Sequence, residues 1–210
     1  EIYQCDWSSD VCSSDPGIFL LAMGLVLTGC SKMSTAATVG SDEITLEQLQ
    51  SEVDSILASR KGVDTSQMEL ETGEALTRSH LSFIIANRII EEIAKDLKID
   101  ISKSDLDAYR LEIYANIGGE ANLPSILVSA GIPKEAVDHV LRRDLIIRSI
   151  TEAEKSAGVD DAQINEDIKK LVADKSDALK IVVNPRYGKW DVTTLSVVET
   201  EPAGDAVKTK

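Results

Sequence analysis

Residues 74–97, EALTRSHLSFIIANRIIEEIAKDL, decide the fold. Leu81, Ile84, Ile85, Ile89, Ile90, Ile93 and Leu97 recur at three- and four-residue intervals and cover well over half of a helix circumference. A helix that apolar has to be packed on several sides, so it is expected at the centre of a helical body. Working upstream, Thr45-x-x-Gln48 reads as a capping box that opens a helix carrying Leu46, Leu49, Val53 and Ile56. A polar loop follows around 62–66. Before that helix, Ala36 to Gly40 (AATVG) is short, small and β-branched, an edge strand by composition.

Working downstream, Lys98-Ile99-Asp100-Ile101 breaks the central helix and Ser102-x-x-Asp105 caps the next, which carries Leu106, Tyr109, Ile113 and Ile117. Gly118-Gly119 stops it. A short helix over Pro124 to Ser129 ends at Gly131, and Pro133 is expected in the first turn of a helix running to about Ser156. That helix should bury Val137, Val140, Leu141, Leu145, Ile147 and Ile150. After Gly158, Asp160-Asp161 starts a last helix with Ile164, Ile168, Leu171 and Val172. The pattern then turns to β character in Leu179 to Val183 (LKIVV) and in Leu195 to Val198. The expected fold is mainly α: a multi-helix domain over 36–198, with a small antiparallel sheet joining the N- and C-terminal strands. The first strand is expected to pair with both terminal runs in one sheet. Residues 199–210, rich in Glu, Pro, Gly, Ala and Lys, read as a disordered tail.

The start of the chain has another character. EIYQCDWSSDVCSSD (1–15) has no apolar period, and its codons, back-translated, closely resemble a common short-read sequencing adapter in one frame. Residues 1–15 are therefore set aside from the fold as an adapter-derived artefact. Without Glu1, Asp6, Asp10 and Asp15 the acids fall from 36 to 32 against 22 bases, moving the net charge from −14 to −10. Two of the three cysteines go with them, leaving Cys30 without an intramolecular disulfide partner.

Ile18 to Leu27 is an apolar run of ten residues, the length of a signal-peptide core and too short to span a bilayer. It ends in Leu27-Thr28-Gly29-Cys30, which resembles a bacterial lipobox: an aliphatic residue, two small ones, then the cysteine that is acylated. On this reading 16–29 is a truncated lipoprotein signal peptide, Cys30 is the lipidation site and 30–35 is a tether. Two or three acyl chains anchor stably where one binds only marginally. A truncated transmembrane helix or a core segment with a chance cysteine competes with it, and the abrupt polar turn at Ser31-Lys32 weighs against that alternative.

The order of strand, capped helix, long apolar helix, Lys-Ile-Asp-Ile-Ser, helix, Gly-Gly-Glu, short helix, Gly-Ile-Pro and helix resembles the N-terminal domain of the SurA/PrsA family. The residues that carry the likeness are ATVGSDEITLEQL (37–49), NRIIEEIAKDLKIDISKSDLD (87–107) and GIPKEAVDHVLRRDLIIRSI (131–150). NPRYGKWD (184–191) is similar to the tail of actinobacterial SurA-domain lipoproteins. The resemblance implies an extracytoplasmic chaperone or foldase domain, in a family whose PrsA members are lipoproteins. Members with prolyl isomerase activity insert a parvulin domain between the penultimate and last helices. Here only Glu154 to Asp161 joins those helices, so the resemblance implies the chaperone part without the catalytic one.

Other chemistry finds no motif. His80 and His139 are isolated on helices, without an i, i+4 His or Cys partner for a metal, and read as satisfied or solvent-facing. No nucleophile elbow surrounds a serine, and neither GxxxxGK[ST] nor GxGxxG occurs, so no cofactor is implied. Glu91-Glu92 and Asp105/Asp107 read as solvated faces and helix-start charges, and Arg142, Arg143 and Arg148 as local ion-pair partners. The acidic balance disfavours nucleic acid. Tyr187 and Trp190 could grip a client but fit better as pins for the final strand.

Leu123, Ile126, Leu127 and Ile132, between two glycine stops, form the candidate client-binding surface; the same residues serve equally well as ordinary core. The function expected is a membrane-tethered extracytoplasmic chaperone or holdase, with unfolded or nascent secreted polypeptides as partners and the lipid anchor holding it to the cell membrane. The alternative is an adaptor or structural lipoprotein that binds one folded envelope partner.

Overall fold

The computed structural model describes residues 34–200. The signal-peptide reading of 16–29, the lipidation site Cys30 and tail residues 201–210 lie outside the described residues. In chain order the elements are β1 (Thr35–Val39), β2 (Asp42–Thr45), α1 (Leu46–Arg60), α2 (Gly73–Leu97), α3 (Lys103–Asn116), α4 (Leu123–Ala130), α5 (Val137–Ser156), α6 (Asp161–Ala178), β3 (Val182–Val183), β4 (Lys189–Asp191) and β5 (Ser196–Val198). Single 3-10 turns precede α4 and α5. The protein is mainly helical, as its periodicity requires.

α2 is the centre of the body. It buries Leu76, His80, Leu81, Ile84, Ile85, Ile89, Ile90, Ile93 and Ala94, and it touches α1, α5, α6, β1 and β5. Each large aliphatic side chain so buried contributes about 1.5–3 kcal/mol, so this one helix anchors the core. Thr45 caps α1 by accepting from Gln48 N at 3.0 Å. The reciprocal half of a capping box is missing there, because Gln48 Nε2 donates to Glu52 instead. Ser102 and Asp105 do form the full box at the start of α3, and Asp160 accepts from Ala162 N and Gln163 N to cap α6.

The chain ends meet on this core, in two small sheets and not in one. β1 pairs antiparallel with β2 and, on its other side, with β3 through Ala37–Val183 and Thr38–Val182. Asn184 extends that seam, its backbone N bonding Ala36 O at 2.8 Å and its side-chain Nδ2 bonding Thr35 O at 2.9 Å. The Leu195–Val198 run supplies β5, which pairs with β4 in a separate hairpin and lies along α2, where Val197 N donates to Ser82 Oγ at 2.8 Å. LKIVV is a strand only at its last two residues. Leu179 closes α6 and Lys180 turns in the left-handed region at φ 48°.

Three further expectations are corrected. Pro133 is extended (φ −70°, ψ 147°) and precedes the turn that leads into α5, so it starts the element from outside. Within α5 the fully buried residues are Leu141, Ile146 and Ile150, while Val137, Val140, Leu145 and Ile147 are half-buried. Leu141 and Ile150 of the expected set are thus fully buried and Ile146, between Leu145 and Ile147, joins them, where α5 packs against α2, α3 and α6. α3 buries no residue fully; Leu106, Tyr109, Ile113 and Ile117 are half-covered, and its main neighbour is α5.

Candidate functional site

α1, α2 and the start of α5 enclose an open groove of about 440 Å3, within the usual size range for a binding cleft. Helical spacing builds each wall. α1 presents Gln48 and Glu52, α2 presents Phe83, Ile84, Asn87, Arg88 and Glu91, and the third wall presents Glu135, Ala136, His139 and Arg142. The apolar floor is Phe83, Ile84 and Ala136.

His80 sits beneath one end. It occupies the apolar stripe of α2 between Leu76 and Ile84, is 2% exposed, and donates Nε2–H to Glu52 Oε2 at 2.7 Å. Its ring stacks on Phe83 with centroids 5.5 Å apart. His80 is thus a core histidine satisfied at Nε2, while its Nδ1 is buried with no partner among the described residues, and His139 is exposed. Glu52 also accepts from Gln48 Nε2 at 2.9 Å. Burial pushes the Glu52 carboxyl up, but the hydrogen bonds from His80 and Gln48 and the fields of His80 and His139 outweigh it and hold the group below the usual carboxylate range. Next to it, Glu135 accepts from Ser55 Oγ at 2.7 Å, and that bond lowers its carboxyl as well.

Of the acid pairs, Glu91, Glu92 and Asp107 stand in ion pairs, while Asp105 belongs to the cap of α3. Glu91 receives Arg142 Nε at 2.9 Å and 3.2 Å, while Arg142 Nη1 reaches Ile101 O at 3.0 Å. Glu92 pairs with Lys95 at 2.5 Å. Asp107 and Asp138 share Arg110 at 2.7 Å and 2.6 Å, and Arg148 bridges Glu112 and Glu152. The Arg110–Asp138 and Arg148–Glu112 pairs strap α3 to α5. Among the described residues no group of three or more His, Cys, Asp or Glu side chains is placed to hold a metal ion, and no helix is long and apolar enough to cross a membrane.

The four residues proposed from sequence lie on and just after α4, away from the groove walls. Ile126 is 42% exposed, Leu123, Leu127 and Ile132 are half-buried, and Val128 is the α4 side chain that faces the core at 1% exposure. The short helix therefore both anchors itself and leaves an apolar edge in solvent. Leu111 on α3, 70% exposed, is a second apolar residue left outside. Tyr187 and Trp190 pack against the core, with Trp190 Nε1 bonded to buried Ser176. They pin the final hairpin.

The groove acids Glu52 and Glu135 are the feature that sequence reasoning missed. The available signal was His80 at an apolar-stripe position, since a buried imidazole demands a polar partner on a neighbouring helix.

The helix order from β1 to α5, with its capped α3, glycine stops and short α4, is matched by a family model described as the SurA-like N-terminal domain over residues 17–151. The chain belongs to the SurA-like N-terminal domain family. The resemblance read from the sequence is borne out, and with it the chaperone-type character of the domain, which implies binding of polypeptide clients in general. α6 and the terminal strands lie beyond the matched residues of this SurA-like domain. No curated protein and no solved structure matches the chain.

Proposed function

We propose that the protein is a membrane-tethered extracytoplasmic holdase, anchored through lipid on Cys30, that binds unfolded secreted or envelope polypeptides by apolar contact. The family match supports this reading above all, since the SurA-like domain is of the chaperone type. Two surface features agree with it: the apolar edge of α4 around Ile126, and a groove between α1, α2 and α5 that is open and apolar at its floor. The lipobox-like LTGC ending at Cys30 supports the anchor. The role is that of a binder and not of an isomerase, because α5 and α6 are joined by only Ala157 to Asp160 where catalytic relatives carry a further domain.

The test is aggregation of a chemically unfolded client diluted into buffer with the chain from Ser31 onward. Aggregation should slow in proportion to the added protein, while cis–trans isomerisation of a proline peptide should proceed at its uncatalysed rate. Lack of any effect on aggregation, together with capture of one folded partner at fixed stoichiometry, would favour the adaptor reading.

A further inference from the structure

We infer that the groove between α1, α2 and α5 selects client segments in which a Lys or Arg side chain stands beside an aliphatic or aromatic one. The inference rests on the polypeptide-binding reading above and specifies what one of its surfaces recognises. The groove's own cations are already matched: Arg142 by Glu91 at 2.9 Å, Lys95 by Glu92 at 2.5 Å, and Arg88 by Asp42 at 3.8 Å. Two further carboxylates stand at the His139 end, paired with a buried imidazole and with a solvent-exposed lysine and not with a cation that lines the groove. Glu52 is hydrogen-bonded by the neutral amide of Gln48 and by the imidazole of His80. Glu135 accepts from the Ser55 hydroxyl, and its other oxygen lies 3.9 Å from the exposed ammonium of Lys134.

Both carboxyls are held below the ordinary range, so both are ionised at neutral pH, and the field of Glu52 works against the charge on Glu135. An incoming cation relieves that repulsion. Phe83, Ile84 and Ala136 adjoin this end and offer an apolar seat to the neighbouring side chain of the same segment. The net charge of the chain, −10 without residues 1–15, adds long-range attraction for a basic segment and opposes an anionic one.

The experiment uses the purified full chain and two labelled unfolded peptides, identical except that a lysine next to a phenylalanine is replaced by norleucine in the second. Anisotropy titrations should give a preference of about tenfold for the lysine peptide, the size of one charge-assisted hydrogen bond in a partly shielded site. The preference should shrink as salt is raised. Glu135→Gln should reduce it to about threefold, and Glu135→Gln with Glu52→Gln should remove it, with the norleucine peptide bound as before. Glu135→Lys, on a side chain 57% exposed, gives the same reading with the Glu52–His80 pair left intact. Equal binding of both peptides by the wild type would overturn the cation selectivity and leave the chaperone reading standing. A preference that survives in Glu135→Lys and in the double variant would place the cation elsewhere and overturn the assignment. No binding of either peptide would overturn this inference and the reading it rests on together.

Discussion

Trp190 Nε1 donates to Ser176 Oγ at 2.7 Å, tying β4 to the buried face of α6. Ser176 is 2% exposed, so this indole is a partner that water cannot replace. Trp190→Phe keeps an aromatic ring in the core but deprives the hydroxyl of its donor. It should cost about 1–3 kcal/mol, a lower urea midpoint at unchanged slope. Adding Ser176→Ala should then restore part of the loss. If the double variant is as unstable as the sum of the two singles, the bond carries no coupling and the hairpin is held by packing alone.

Gly188 has φ +123°, and a Cβ built there would stand 2.0 Å from Val198 O in the paired strand. No rotamer relieves a clash between two backbones, so Gly188→Ala must push β4 and β5 apart and weaken the Val197–Ser82 contact with α2. The expected cost is at least about 2 kcal/mol. Gly158→Ala is the control: φ is +87° but nothing lies within 4 Å of the added carbon, so only the backbone penalty of about 1 kcal/mol applies. Melting temperatures of the two variants should separate accordingly, and equal shifts would mean that the terminal hairpin is not part of the cooperative unit.

The Glu52–His80 pair gives an acid limb to stability. The folded-state carboxyl of Glu52 lies below its usual value of 4.5, so the folded state favours the ionised form. A depressed carboxyl contributes stability that is present above the unfolded value and is lost as pH falls through the folded one. Glu52→Gln should therefore be less stable than wild type at pH 7, with the gap closing on acidification below about pH 4.5. Urea titrations at stepped pH values check this. A gap that stays constant down to pH 3 would show that Glu52 stabilises by shape and not by charge.

The helical frame is legible in the chain because its signals are local. The stripe from Leu81 to Leu97, the Ser102–Asp105 box and the Gly131 stop each depend on neighbours within a few residues. β2 escapes notice because Asp42-Glu43-Ile44-Thr45 has one apolar residue, and it is a strand only because β1 lies beside it. LKIVV misleads because three β-branched residues follow the point where α6 ends, and nothing in them marks the left-handed turn at Lys180. The groove is harder still. Glu52 and Glu135 come from separate helices, each an ordinary surface acid in sequence, and only the packing of α1 against α2 and the Ser55–Glu135 bond bring them to one place.

The anchor proposal makes a chemical prediction at Cys30. A cell fed a clickable palmitate analogue should label the wild-type protein, and Cys30→Ser should carry no label and leave the membrane fraction. Equal labelling of both would remove the anchor and with it the membrane-tethered half of the proposed function.

The last prediction separates the two apolar surfaces. Ile126 is exposed and Leu127 half-buried on α4, whose hold on the core is Val128. Ile126→Ser with Leu127→Ser therefore spares Val128 while removing most of the apolar edge. If unfolded clients rest on that edge, each lost aliphatic contact weakens binding by about 1.5–3 kcal/mol at most, and partial coverage should bring the joint effect to roughly tenfold in the amount of protein needed to hold a client. A near-ultraviolet and thermal comparison must show the body still folded. Ile126→Ser alone, on the side chain that is already exposed, provides the folded reference. Full holdase strength in the double variant would discard α4 as a client surface and leave the groove floored by Phe83 as the place where clients bind.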